Sequence, residues 1–380
     1  MLKIILARHA ETIWNEERRY IGRADLGLSR LGKDNSRLLA SHLKNQPIIK
    51  IVSSSMKRAT QTAEIVNLSH HQDILRQPLL NEINFGIWEG LTHDEIVEQH
   101  PELVKRWFKD PFSTDIPEGE PWRVFADRVW SGWLSVVNSL HERSLQGEGA
   151  DEAKIVLIVT HAGCIKNILA RILGREPQKA WHIYQDKGAL NHLIYKDGNI
   201  KIARINDTDY RSSKKRNIPE IKTCDSANKE DLHFVISKAS AAYARIFGET
   251  FDPANYMSMA ELTKEMEEMS FFGIVQGGLM IAAGAYQAKA DVALMRHLYV
   301  LPACQGQGMG SRLLSHIEGV AKADGQHELL VGTYEKNREA IDFYVKQGFK
   351  ISQDPQRLLK KYWDIPQRQA EISIVFSKRL

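Results

Sequence analysis

The sequence predicts an α/β domain with a largely parallel sheet, followed by a smaller α+β domain. Three observations carry that expectation. Over roughly the first 205 residues, short apolar runs alternate with helix-like patterns, the mark of strands joined by helical crossovers. The stretch NDTDYRSSKKRNIPE then breaks the pattern; it is polar, serine-rich and basic, with no apolar period, and reads as a solvated connector. After it the pattern restarts with several strand-like runs in succession. At ~150 residues per domain, 380 residues suit this division, with domains at 1–206 and 218–380 and a linker at 207–217.

The elements follow in order. LKIILA reads as a strand that ends on Arg8-His9, and SRLGKDNSRLLASHL as a helix capped by Ser29. IIKIVSS is a strand and MKRATQTAEIV a helix. A middle segment from Leu79 to Gly149 has helical character at THDEIVEQH and from Trp122 to Arg143. KIVLIVTH is a buried strand, AGCIKNILARILG a helix stopped at Gly174, and ALNHLIYKDGNIKIARI a hairpin turning at Asp197-Gly198. In the second half, IPEIKTC is a strand and KEDLHFVISKASAAYARIFG one amphipathic helix ending on Gly248. FFGIVQ, LMIAAGAY and VALMRHLYV are strands, at least the first two antiparallel neighbours. MGSRLLSHIEGVAKADG is a helix, HELLVGTY a strand, NREAIDFYVKQG a helix and EISIVFS a last strand.

Composition narrows the class. At 43% hydrophobic and 26% charged, this is ordinary globular material. A net charge of +4 is too small to argue for nucleic acid. The three cysteines, Cys164, Cys224 and Cys304, are scattered without a metal-like spacing and read as reduced thiols. No apolar run approaches the ~20 residues of a membrane span, and the first strand starts directly after Met1 with no room for a signal peptide, so a cytoplasmic location is expected.

Two strand ends carry histidine, His9 and His161; Arg58 lies just past a third strand and Glu82 in a following loop. Ligands in open α/β sheets bind beyond the carboxyl ends of the strands. Two guanidinium forks suit phosphate oxygens, a neutral imidazole is a competent nucleophile, and a carboxyl can protonate a leaving alkoxide. These parts make a phosphoryl-transfer site with no need of a metal. The motifs ARHAETIWN, GRADLGLSRLGK, SSSMKRATQTA, NEINFGIWEG and VTHAG resemble the histidine phosphatase superfamily, with Ala10 where the family usually has glycine. The resemblance implies the phosphoglycerate mutase-like three-layer α/β fold. It further implies that His9 becomes phosphohistidine, that Arg8, Arg58 and His161 hold the phosphoryl group, and that Glu82 is the proton donor and then the base. Asn15 and the Gly22 backbone line the phosphate pocket, while Thr12 and Trp14 shape the loop. The compact region between Glu82 and His161 looks like the small phosphatase branch, so hydrolysis of a small-molecule phosphate ester is expected; mutase action and α-ribazole phosphatase activity are the alternatives.

In the second half, a strand runs to Pro302 and Gln305-Gly306-Gln307-Gly308-Met309-Gly310 opens a helix. Glycines bring backbone close, and a first helical turn offers unpaired N–H groups, an anion cradle suited to pyrophosphate. The strands before it look antiparallel, which argues against a Rossmann unit. LYVLPACQGQGMGSRLL followed by NREAIDFYVKQGF resembles the acetyl-CoA signature of GNAT acyltransferases. The resemblance implies an acyl-CoA acyltransferase fold, acetyl-CoA as co-substrate and an amine acceptor. It implies that backbone groups of Leu298, Val300, Gln305, Gly306, Gly308, Met309 and Gly310 hold the cofactor, with Asn337 on its far side and Tyr344 protonating the departing thiolate. Glu335, His297 and Glu249 are the possible bases; Tyr362 and Trp363 wall an acceptor site or form a satellite core. The expectation is thus a bifunctional enzyme. The alternative makes the second domain an acetyl-CoA sensor or a structural platform, for instance in a homodimer. No metal, nucleic acid or membrane is expected as a partner.

Overall fold

The computed structural model describes residues 2–145, 154–196, 198–211, 219–247, 251–253 and 256–380. The chain divides into two compact units, Met1–Ile218 and Pro219–Leu380. Asp197 of the expected hairpin turn, residues 212–217 of the expected linker, Gly248 and Glu249 lie outside the described residues.

In the first unit the strands are β1 (Leu2–Arg8), β2 (Ile48–Ser53), β3 (Ile74–Arg76), β4 (Ile155–Thr160), β5 (Leu190–Lys196) and β6 (Asn199–Asp207). They form one sheet in the order β3-β2-β4-β1-β5-β6. β1, β2 and β3 are joined through β4 and β2 by parallel pairing, whereas β5 and β6 run antiparallel. β4 is buried at all six residues, which its unbroken IVLIVT requires of a strand covered on both faces. Ile5, Ala7, Ile51, Leu157 and Val159 form one core with Leu39, Leu43, Ala59, Ala63 and Val66 of the helices Arg30–Leu43 and Lys57–Asn67. The alternate residues Ile4, Leu6, Val156 and Ile158, also buried, point to the opposite face by the strand pleat. This is a three-layer α/β domain. Ser29 does cap its helix, accepting the Gly32 N–H at 3.1 Å.

The first unit extends past residue 206. β6 runs to Asp207, and Tyr210 stacks on His42 at 5.7 Å and donates its hydroxyl to the Gly188 carbonyl at 2.8 Å. These contacts make residues 207–211 part of the domain rather than linker.

In the second unit, β7 (Glu220–Thr223), β8 (Ser270–Gln276), β9 (Leu279–Ala288), β10 (Ala293–Val300), β11 (Glu328–Tyr334), β12 (Lys350–Ile351) and β13 (Ser373–Arg379) form a sheet in the order β12-β13-β11-β10-β9-β8-β7. The antiparallel pattern has one exception. β10 and β11 are parallel, joined by the helix Met309–Ala323, so the glycine turn does open a local βαβ unit. Their pairing covers only Ala293–Met295 with Leu329–Val331. β10 also bulges between Arg296 and Tyr299, with His297 in the left-handed region at φ +53°.

The expected single helix at KEDLHFVISKASAAYARIFG is broken. It ends at Ser240, whose hydroxyl donates back to the Ser237 carbonyl, and continues as a tight turn Ala241–Tyr243 and a short helix Ala244–Phe247. The break delivers Tyr243 to an aromatic cluster, so tertiary packing overrides a good helical pattern. Helices at Met259–Glu268, Arg338–Lys346, Pro355–Tyr362 and Gln367–Glu371 complete this unit. Among the described residues no helix is long and apolar enough to cross a membrane.

Candidate active sites

Parallel pairing puts the carboxyl ends of β1, β2 and β4 on one edge of the first sheet. Arg8 closes β1 and His9 follows, its N–H bonded to the Thr160 carbonyl at 2.8 Å. His161 follows β4, at the start of the helix Ala162–Ile172. The two imidazoles come to 5.1 Å between ring centres. His9 Nδ1 donates to the Ala10 carbonyl at 2.7 Å, since a carbonyl can only accept. That assignment leaves the lone pair on Nε2. Burial, then the charges of Arg58 and Arg8, hold His9 well below the usual histidine range. It is therefore neutral at pH 7.

His161 is treated alike by burial, Arg58 and His9. Its Nε2 lies 2.6 Å from the Ser54 hydroxyl, which also accepts the Met56 N–H at 3.2 Å. The network therefore assigns the serine hydrogen to Nε2 and the imidazole proton to Nδ1. Arg8 donates to the Gln185 carbonyl at 2.6 Å, and Arg58 to those of Ala24 and Gly22 at 2.8 and 2.7 Å. Nε of Arg8, Nε of Arg58 and Nδ1 of His161 are buried without a partner. Buried orphan donors cost free energy unless a ligand satisfies them. Three lie on the side chains around His9, an arrangement that suits an anion.

Glu82 is buried, accepting the Gly163 N–H at 3.0 Å and its neighbour Ile83 N–H at 3.1 Å. Burial pushes its carboxyl up, against the pull of those N–H groups and of Arg58 and Arg8. A carboxyl held up in this way is suited to carry a proton.

Two further expected pocket residues also make local contacts. The Asn15 side chain caps its short helix, accepting from the Thr12 N–H and hydroxyl, both at 3.1 Å. The Gly22 N–H donates to Glu89 at 3.0 Å, so Gly22 meets the site through its carbonyl on Arg58. A Cβ there would lie 2.0 Å from the Ile83 carbonyl oxygen, which explains the glycine.

Sequence reasoning missed three supporting residues. Glu89 gathers the N–H groups of Gly22, Arg23 and Phe85. Arg128, paired with Glu120, donates to the carbonyls of Leu79, Asn81 and Glu82 and so holds the loop that carries Glu82. Ser54 is the third, and nothing local separates it from Ser53 and Ser55. If it sets the His161 tautomer, Ser54→Ala lowers kcat for phosphate release about tenfold with KM little changed. An unchanged kcat would remove that role.

In the second unit every residue expected at the cofactor lines one cavity of about 600 Å³, including Leu298, Val300, Gln305, Met309, Gly310, Asn337 and Tyr344. Gly306 and Gly308 have φ of +80° and +79°, and a Cβ on Gly308 meets nothing within 4 Å. Gly308 precedes the helix Met309–Ala323 with no side-chain cap, so that helix presents first-turn N–H groups. The Gln305 side chain donates to the Val300 carbonyl at 3.1 Å. Asn337 caps the helix Arg338–Lys346, accepting the Ala340 N–H at 3.3 Å. Tyr344 is buried against Phe343, Phe349 and Phe376, and burial pushes its phenol up. Of the possible bases, His297 lines the cavity, its Nε2 2.7 Å from Glu265; Glu335 is exposed and does not. Tyr362 packs on a satellite core, its hydroxyl on Asp291 at 2.7 Å, while Trp363 joins that core and also lines the cavity.

The family model described as histidine phosphatase superfamily (branch 1) matches residues 4–208. The chain belongs to the histidine phosphatase superfamily. A second model, the acetyltransferase (GNAT) family, matches residues 238–349. The protein therefore joins a histidine phosphatase domain to a GNAT acetyltransferase domain. Phosphoserine phosphatase 1 of Hydrogenobacter thermophilus is 29% identical over 208 residues, 55% of this chain and 93% of that protein. Bifunctional protein Rv2228c of Mycobacterium tuberculosis is 33% identical over 211 residues, 55% of this chain but only 54% of its own length. Among solved structures, the alpha-ribazole phosphatase from Shigella flexneri superposes with a TM-score of 0.48 at 25% identity, covering 54% of this chain and 96% of that one.

Proposed function

We propose that the histidine phosphatase domain hydrolyses a small phosphomonoester through a phosphohistidine on His9, and that the GNAT domain transfers an acetyl group from acetyl-CoA to an amine. The observation that carries the first half is the set of buried orphan donors on Arg8, Arg58 and His161 around a neutral His9 whose Nε2 holds its lone pair. Nε2 attacks phosphorus, the P–O bond to the alcohol breaks, and Glu82 gives its proton to the departing oxygen. Water then attacks the phosphohistidine, Glu82 takes the proton of that water, and the P–N bond breaks to restore neutral His9. The relative named phosphoserine phosphatase supports a small phosphate ester as substrate. Release of phosphate from a panel of such esters by the intact protein tests this reading; a protein inert on all of them refutes it.

The donors that face the phosphoryl group in this scheme are guanidinium and imidazole, so phosphate release is expected to persist in excess chelator. Loss of activity in EDTA, restored by a divalent ion, would contradict the scheme.

In the GNAT domain, the uncapped helix start and the open space at Gly308 fit a pyrophosphate, and acetyl-CoA supplies the activated acetyl group. Gly308→Ala adds a side chain to a left-handed residue, which costs ~1 kcal/mol or more. It is expected to raise the Kd for acetyl-CoA about fivefold or more and to leave phosphate release unchanged. An unaltered Kd would remove the turn from the binding site.

A further inference from the structure

The cavity of the GNAT domain has two unlike walls. One is the glycine turn with Asn337; the other is aromatic. Tyr243 comes from the tight turn that breaks its helix, Tyr256 from a loop, Tyr299 from β10 beyond its bulge and Tyr334 from the end of β11. All four line the cavity. The Tyr243 ring lies 5.2 Å from Tyr334, 5.4 Å from Tyr256 and 6.4 Å from Tyr299, edge-on to Tyr334 at 88°. Their oxygens are linked: Tyr299 donates to Tyr256 at 2.9 Å, the Tyr243 hydroxyl lies 3.4 Å from that of Tyr299, and Gln369 donates to Tyr334 at 3.2 Å.

The division of labour among the rings is informative. Phe247 and Phe251 pack against Tyr243, Phe247 also against Tyr334, and neither phenylalanine lines the cavity. On this wall the four rings that face the space carry hydroxyls and the two phenylalanines packed on them do not; two other lining rings, Phe343 and Trp363, lie beside Gly310 and Gly332. Burying phenols is costly where phenylalanine would serve, so a hydroxyl-bearing inner layer points to a ligand that uses both ring faces and oxygens. Burial pushes these phenols up, Tyr334 to about 12, so the wall is uncharged at neutral pH. Of the cations that line the cavity, Arg296 is held by Glu265 at 3.1 Å, and Lys346 belongs to the helix that Asn337 caps.

We infer that the acetyl acceptor is a primary amine carried on an aromatic body without a carboxylate, its ring seated on the wall of Tyr243, Tyr256, Tyr299 and Tyr334. This rests on the acetyl-transfer reading above. Edge-to-face packing against the tyrosines holds the body, and the phenol oxygens accept N–H bonds that orient the nitrogen. The nitrogen attacks the thioester carbonyl carbon, the C–S bond breaks with its electron pair going to sulfur, and the proton lost by nitrogen is balanced by the one gained by the thiol. A free amino acid brings a carboxylate that this neutral wall does not match, and an aliphatic diamine leaves the ring faces uncovered.

The test uses the full chain with acetyl-CoA, reading thiol release with 2-phenylethylamine, cadaverine and glycine, alongside direct titration of acetyl-CoA binding. The expected result is a kcat/KM for 2-phenylethylamine at least about tenfold above the other two. Tyr243→Leu should raise its KM about tenfold while the Kd for acetyl-CoA stays within about twofold; an unmoved KM overturns the inference, and if that variant does not fold, the amine panel on the unaltered chain decides. Equal or faster turnover of cadaverine or glycine overturns the inference and leaves acetyl transfer standing. Binding of acetyl-CoA with none of the three amines acetylated overturns it too. Failure to bind acetyl-CoA overturns the acetyl-transfer reading and the inference together.

Discussion

His9→Ala is expected to abolish phosphate release, by more than about 10⁴-fold in kcat, while the Kd for acetyl-CoA is unchanged. His9 follows β1 in the first unit, and the cavity proposed for acetyl-CoA is lined entirely by residues of the second. Removing the ring leaves the orphan donors of Arg8, Arg58 and His161 able to bind phosphate. Product inhibition by inorganic phosphate should therefore survive in the variant. Near-normal turnover would end the covalent scheme, since no other nucleophile is proposed.

Glu82→Gln is expected to separate the two chemical steps. General acid help is worth ~10²–10⁴-fold, so hydrolysis of an alkyl phosphate should fall by that factor. p-Nitrophenyl phosphate has a leaving group that departs without a proton, so its first step should be nearly normal. The second step still lacks its base. A burst of nitrophenol followed by slow turnover is the expected trace; equal losses on both substrates with no burst would make Glu82 structural. The pH profile of the unaltered protein carries the same assignment. His9 must be neutral, and its lowered pKa moves the acid limb of kcat/KM below the ordinary histidine value of ~6.5. Glu82 must be protonated, and its raised pKa sets the limb on the basic side. That basic limb should appear with alkyl phosphates and vanish with p-nitrophenyl phosphate.

Much of this molecule is legible in its sequence. Short unbroken runs rich in β-branched residues, such as IVLIVT, suit strands covered on both faces, and their order with the helices implies a parallel sheet. Once β1, β2 and β4 are neighbours, residues at their ends must converge, which is why Arg8, His9, Arg58 and His161 stand out before any coordinates. The supporting groups are another matter. Ser54 is one of three successive serines, and only the strand end decides which meets His161. Glu89 acts on Gly22 through a contact distant in sequence, and with its N–H taken Gly22 offers its carbonyl to Arg58. The tyrosine wall draws one residue from each of four elements, and no local period announces it. The helix Met259–Glu268 did carry a local signal, the Ser258/Glu261 capping box, which the polar composition of that stretch obscured. The break after Ser240 carried none, because it is made by packing around Tyr243.

The most direct test is to look for the covalent intermediate. Glu82→Gln is mixed with p-nitrophenyl phosphate, quenched during the burst under alkaline conditions that preserve phosphohistidine, digested, and read by mass spectrometry. The account predicts one phosphoryl group on the peptide that contains His9, lost on mild acid treatment and missing from the His9→Ala protein. A burst of nitrophenol with no phosphoryl group on the protein, or with the group on any other residue, would contradict it.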